Sequence, residues 1–302
     1  MTPRITRVSK RTLFLLLGCL AFGVTQFKGQ NNSDFAKEAE FIGHMQDDYE
    51  YSNSIYLASK IDTLSLSQDQ KDSLNYYKGW AYYNLRAVDT SAQYLGKITP
   101  ASPFYYKAVF YTANNYAYSK EYEKGLATIN KNFVDTNYRQ LQLTQQSALF
   151  LLKRDYKAFD STANFFNYAD YNVAAGQKEM LGYKKRLKEH KKKSPFLAGL
   201  YSAIIPGSGK YYAGKKGQSV ATFLTCFISG IVAAENFYRG GFLKDGYKSP
   251  QFIVTASIFS VFYVGNIWGS VVSVKLSRQS FNNSIDNEIR VSVHLPLRRI
   301  FN

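Results

Sequence analysis

A chain of 302 residues, 45% of them hydrophobic, has room for two domains and a packed core, which excludes wholesale disorder. Its net charge of +16 is unevenly placed: residues 33–183 hold 15 Lys/Arg against 17 Asp/Glu, whereas residues 184–302 hold 18 against 5. Cations that flank apolar segments suit acidic lipid headgroups and argue against a nucleic-acid-binding face, and two cysteines exclude a disulfide framework.

Residues 1–29 read as a signal peptide or an N-terminal signal anchor. Arg4, Arg7, Lys10 and Arg11 precede an apolar run from Leu13 to Val24, short for a span but suited to a signal core. Ala21-Phe22-Gly23 offers small residues for cleavage, and "LLGC" ending at Cys19 faintly resembles a lipobox.

Residues 33–183 are rich in Ala, Leu, Lys, Gln and Tyr and predict helices throughout. A spacing of 34 residues organises them: Gly79, Ala113 and Ser147 are small residues in register. Tyr82, Tyr116 and Phe150 recur as aromatics; Val88, Tyr122 and Tyr156, and Leu95, Ile129 and Ala163, recur at the same interval. The stretches "NYYKGWAYYNL", "YTANNYAYSKEYEKGLATI" and "QSALFLLKRDYKAFDSTANFF" resemble tetratricopeptide repeats, although Asn75 stands where that family has tryptophan. "FIGHMQDDYEYSNSIYLASKID" reads as a degenerate leading unit. The resemblance implies stacked helical hairpins with a groove that receives a protein partner; a generic helical hairpin array is the alternative.

"KKRLKEHKKK", residues 184–193, carries seven basic residues against one acidic residue, and Ser194-Pro195 ends the helix. The segment 184–195 reads as a basic juxtamembrane linker for acidic headgroups, or as the solvated end of a helix. Beyond it, residues 218–238 and 250–274 are each long enough and poor enough in charge to cross a bilayer. Buried helices of a soluble protein pass the same test. "SPFLAGLYSAIIPGSG" is too short to cross and predicts an interfacial or re-entrant helix.

A phosphate-binding loop requires G-x-x-x-x-G-K-[ST]; here Tyr211 follows Gly209-Lys210 and Ile204 occupies the first glycine position, so the nucleotide reading fails. Tyr211 and Tyr212 suit the headgroup layer, with Lys210, Lys215 and Lys216 reaching phosphates. Pro206, Gly207, Gly209, Tyr212, Gly214 and Lys215, together with "YVGNIWGS" at 263–270, resemble the two-helix membrane domain called TM2 and its bacterial relatives of the DUF5683 type. That resemblance covers about 196–280 and implies a helical membrane hairpin. Ser208 and Lys210 depart from the pattern, which has a bulky apolar residue and Gln.

Asn266 lies inside the last apolar run and requires a partner, either on the neighbouring helix or across a homo-oligomer. In the tail 281–302, Ile289, Val291, Val293 and Leu295 alternate with polar residues and predict a short strand. The expected fold is all-α: a tetratricopeptide-like hairpin array, a short interfacial helix and a two-helix transmembrane hairpin. His44, His190 and His294 are dispersed, and no nucleophile–base, paired-carboxylate or metal motif occurs, so no catalytic residue, cofactor or metal is expected. The expected role is a membrane-anchored envelope scaffold in the bacterial inner membrane, multi-pass, with the array periplasmic. The alternative is a subunit or regulator of a transport or lipid-handling complex.

Overall fold

The computed structural model describes residues 32–130, 136–239 and 249–301; the expected signal segment lies outside them. Every described element is helical, with no strand among the described residues. Contacts group the chain into two compact units that divide between positions 131 and 132.

The first unit contains three helical hairpins: α1 (Asn32–Asp47) with α2 (Tyr51–Lys60), α3 (Gln68–Asn84) with α4 (Val88–Leu95), and α5 (Tyr105–Tyr118) with α6 (Tyr122–Ile129). Helix α3 begins with a capping box, in which Ser67 Oγ accepts from the Gln70 N–H and Gln70 Oε1 accepts from the Ser67 N–H. The turns into α4 and α6 each use one left-handed residue, Arg86 (φ 64°) and Lys120 (φ 62°), spaced as the 34-residue register requires. Tyr49 (φ 63°) plays the same part before α2, so the leading hairpin is built like the others.

Small residues set how closely each pair approaches. A Cβ on Gly79 would meet the Leu95 side chain at 2.7 Å, and Ser91 Oγ donates to the Gly79 carbonyl at 2.8 Å. Asn115 Nδ2 donates to the same serine at 2.9 Å and ties α5 to the pair. The fully buried Asp72 accepts from the Thr99 N–H at 3.1 Å and from Gln68 at 2.9 Å, closing the loop before α5.

The second unit opens with the third 34-residue pair, α7 (Arg139–Lys153) and α8 (Tyr156–Ala163), joined by Arg154 at φ 66°. There follow α9 (Tyr171–Glu189), α10 (Pro195–Ile204), α11 (Ser208–Tyr212), α12 (Lys216–Arg239) and α13 (Pro250–Phe301). Helix α13 has 52 residues and is therefore about 78 Å long at 1.5 Å per residue. Its first half packs against α10 and α12, its second half against α7 and α9.

Two expectations are corrected here. The tail is helix, not strand: Ile285, Ile289, Val293 and Leu297 recur every four residues and are buried, whereas Val291 and Leu295 are exposed. The apparent alternation arose because a four-residue period also falls on every second position. In addition, the compact units divide at 131/132 and not at the basic linker, because the second half of α13 draws α7–α9 into the same body. Arg186 and Glu288 form an ion pair across α9 and α13, and Arg154 meets Asp286 at 2.7 Å. Pro296 leaves the Ser292 carbonyl without its helical donor, and Gly176 of α9 lies so close that a Cβ there would stand 3.0 Å from that oxygen.

Helices α12 and α13 are both long and apolar enough to cross a membrane. Their apolar windows are only 11% and 6% buried, the reverse of a soluble core helix. Phe223, Phe227, Ile231, Val254, Ile258, Val261 and Trp268 all point outward.

Candidate functional site

The glycine turn lies where α10, α12 and α13 meet. Pro206 forces Ile205 into an extended conformation (φ −126°, ψ 112°), which stops α10 at Ile204. Gly207 then takes φ +85°, and a Cβ there would lie 2.4 Å from the Ser219 carbonyl oxygen of α12. Gly209 is tighter still: a Cβ would sit 1.9 Å from the Ala198 carbonyl, so α11 crosses α10 in backbone contact.

Such a turn strands backbone polar groups away from water, and side chains from three helices satisfy them. Asn266, 2% exposed, accepts from the Gly207 N–H at 2.8 Å and donates from Nδ2 to the Ser202 carbonyl at 2.9 Å. Ser219 Oγ donates to the Gly207 carbonyl at 2.8 Å. The Gly209 N–H donates to Ser202 Oγ at 2.9 Å; Ser202 Oγ lies 2.7 Å from Ser270 Oγ, which donates to the Asn266 carbonyl at 2.9 Å. Each hydroxyl can thus donate once in a single direction along the chain of bonds. Tyr263 adds a hydrogen bond from its hydroxyl to the Ala203 carbonyl. Both ends of Asn266 are thus engaged on the neighbouring helix α10 and the turn after it, the first of the two partners that its depth in the apolar run suggested.

Of the six residues singled out around the turn, Pro206, Gly207 and Gly209 sit in this network, and Tyr212, Gly214 and Lys215 follow it. Pro206, Gly207 and Gly209 shape the turn, and Gly214 (φ +88°) ends α11. Tyr212 is half-buried: its hydroxyl accepts from the Ser194 N–H at 3.0 Å and its ring lies under Lys193 Nζ at 5.6 Å. Lys215 is exposed, and Tyr211 is 60% exposed with Lys216 Nζ over its ring at 5.9 Å. Lys210 is the exception, turning inward to donate to Thr222 Oγ1 at 2.7 Å beside Gly269.

The basic segment 184–193 also divides. Lys184 pairs with Asp160, Arg186 with Glu288, and Lys188 Nζ stands over the Tyr156 ring at 5.4 Å, so these three turn back onto neighbouring helices. His190 stacks on Phe281 at 3.6 Å, and Lys191–Lys193 remain exposed beyond it.

Within the first unit, Tyr76, Trp80 and Tyr83 of α3 form an aromatic cluster with Phe104 and Tyr111. Tyr76 stacks on Phe104 at 4.1 Å, and Tyr111 meets Trp80 edge-on at 5.0 Å. Lys107 Nζ lies 4.1 Å from the centre of the Trp80 ring, and burial lowers its pKa. The aromatic richness was visible in the sequence; which rings cluster was not. Among the described residues no group of three or more His, Cys, Asp or Glu is placed to hold a metal.

Sequence reasoning missed Ser202 and Ser219. Their only signal was a hydroxyl in an otherwise apolar run. No family model and no solved structure matches the chain. A stretch of 75 residues, 25% of this chain and 68% of the relative, is 48% identical to an uncharacterized protein of Methanocaldococcus jannaschii. At that identity over two thirds of the relative's length, this chain belongs to the family of that archaeal protein.

Proposed function

We propose that the chain is a membrane-anchored scaffold of the cell envelope. Its helical array, read as tetratricopeptide-like, captures a protein partner, and α12 with the first half of α13, read as a TM2-like hairpin, holds it in the bilayer. The observation that carries this reading is the pair of long apolar helices whose windows are only 11% and 6% buried in a chain otherwise packed as helical hairpins. The recurrence of a left-handed residue at 86, 120 and 154 supports the repeat reading.

The reading places the protein in a bacterial inner membrane, multi-pass, with the array on the periplasmic side, on the strength of the signal-like residues 1–29. It assigns no catalytic role. Carbonate washing of membranes tests the anchor: the full chain is expected in the pellet, and release to the supernatant refutes it. Single cysteines at positions 33, 245 and 302, probed with an impermeant maleimide, test orientation. Crosslinking with and without Trp80→Ala tests partner capture, with the aromatic cluster around Trp80 proposed as the capturing surface; unchanged partner yield counts against it.

A second reading, a subunit or regulator of a lipid-handling or transport complex, is favoured by one observation. Beside the turn, an apolar cleft of about 340 Å³ is lined by Pro206, Phe223, Cys226, Phe227, Ala234 and Phe259. Ala234→Trp would fill this cleft, so loss of bound acyl chain in that variant supports the second reading, and unchanged lipid content removes it.

A further inference from the structure

Four segments converge at Lys193. His190, stacked on Phe281, holds the end of α9 against α13. Arg278 of α13 donates to the Lys193 carbonyl, and the next residue, Ser194, donates its N–H to Tyr212 of α11. The Lys193 ammonium lies 3.9 Å from where a Cβ on Gly214 would be, so it stands beside the turn that carries Lys215 and Lys216.

This corner is cationic, with the exposed Glu189 at the end of α9 the one acid close to Lys193 in sequence. The nearby carboxylates Asp286 and Glu288 are engaged by Arg154 and Arg186. Among the described residues, no carboxylate pairs with Lys193, Lys215, Lys216 or Arg278, and the Arg278 Nε is buried with no acceptor. Such an arrangement is costly for the protein alone and complementary to a bound anion.

Position along the helices selects the anion. Lys216 is the first residue of α12, and Arg278 follows the charge-free run that ends at Val274. The exposed Leu197 and Leu200 of α10 and the exposed Tyr211 lie at the same end of the hairpin. A phosphate bound here would carry its acyl chains along these apolar faces.

We propose that Lys193, Lys215 and Arg278 form a binding site for the phosphate of an anionic phospholipid headgroup. The site rests on the membrane reading above and sharpens it: the headgroup contact is this corner and not the whole segment 184–193. Native mass spectrometry of the full chain, released from bilayers that mix phosphatidylglycerol and phosphatidylcholine, tests it. The wild type is expected to retain phosphatidylglycerol preferentially, and Lys193→Gln/Lys215→Gln to lose about fivefold in retention per cation removed. Neither of those side chains makes a fold-bearing hydrogen bond. Lys191→Gln/Lys192→Gln, which removes the same charge beside the corner, is expected to keep the preference.

Equal losses in both double variants overturn the site in favour of diffuse attraction. Displacement of the lipid by millimolar inorganic phosphate overturns the lipid assignment in favour of a free-phosphate site. A chain that stays in carbonate-washed membranes without any lipid preference overturns the headgroup site alone, whereas a chain released by carbonate overturns the membrane reading with it.

Discussion

Asn266 holds Gly207 by a backbone group that the turn does not satisfy for itself: its Oδ1 accepts the Gly207 N–H at 2.8 Å, while its Nδ2 reaches the Ser202 carbonyl at 2.9 Å. A helix-breaking turn can sit among apolar helices because one carboxamide supplies an acceptor and a donor to two backbone groups on either side of Pro206.

Replacing Asn266 with Leu should therefore strand both groups. The expected loss is about 2–6 kcal/mol, from roughly 1–3 kcal/mol for each of the two unsatisfied buried groups. Detergent-solubilised wild type and variant, compared by thermal unfolding, check this. Oligomeric state is expected not to change, since both hydrogen bonds described for Asn266 lie within its own chain. A variant as stable as wild type would remove the turn network from the account.

Gly79→Ala should destabilise the first unit. The added methyl meets Leu95 at 2.7 Å, and overpacking of this kind costs about 1–3 kcal/mol. Leu95→Val in the same chain opens space and should recover part of the loss. Limited proteolysis of the array reads both effects, and full additivity of the two changes would contradict the contact.

The Arg186–Glu288 pair joins α9 to α13, and the hydrogen bond from Arg186 lowers the Glu288 pKa. A depressed carboxylate pKa means stability present above the unfolded value of about 4.3 and lost as pH falls through the folded value. Arg186 is half exposed, so solvent screening holds the contribution below about 1 kcal/mol. Glu288→Gln should be less stable than wild type at neutral pH, and the gap should close in acid. A gap that widens on acidification would reverse the assignment.

Lys107→Met separates stability from capture. Burial lowers the lysine pKa, and the Trp80 ring at 4.1 Å offsets only part of that cost. Methionine keeps the stem without the charge, so the array is expected to be unchanged or more stable, within about 1 kcal/mol. A stable array with reduced crosslinking to its partner would place Lys107 on the capturing face. A markedly less stable array would show that the amine is structural.

Much of this architecture was legible in the sequence by itself. The 34-residue recurrence of Gly79, Ala113 and Ser147 marks helix pairs, because a small residue is needed wherever one helix must approach its partner closely. The charge-free runs define the two long apolar helices, because a spanning segment is recognised by what it lacks. Pro206 and its glycines announce a turn, because their backbone preferences are local.

Tertiary structure decided the rest. Nothing local distinguishes Lys210, which turns inward to Thr222, from Lys215, which stays exposed. Nor does the chain near Asn266 reveal that its partner lies about sixty residues earlier. The tail 281–301 is helix because Ile285, Ile289, Val293 and Leu297 bury one stripe against α7 and α9, and apolar residues spaced by four satisfy both helical and strand patterns until a surface exists to receive them. Propensity and charge are properties of the chain, whereas burial and hydrogen-bond satisfaction exist only once distant segments have met.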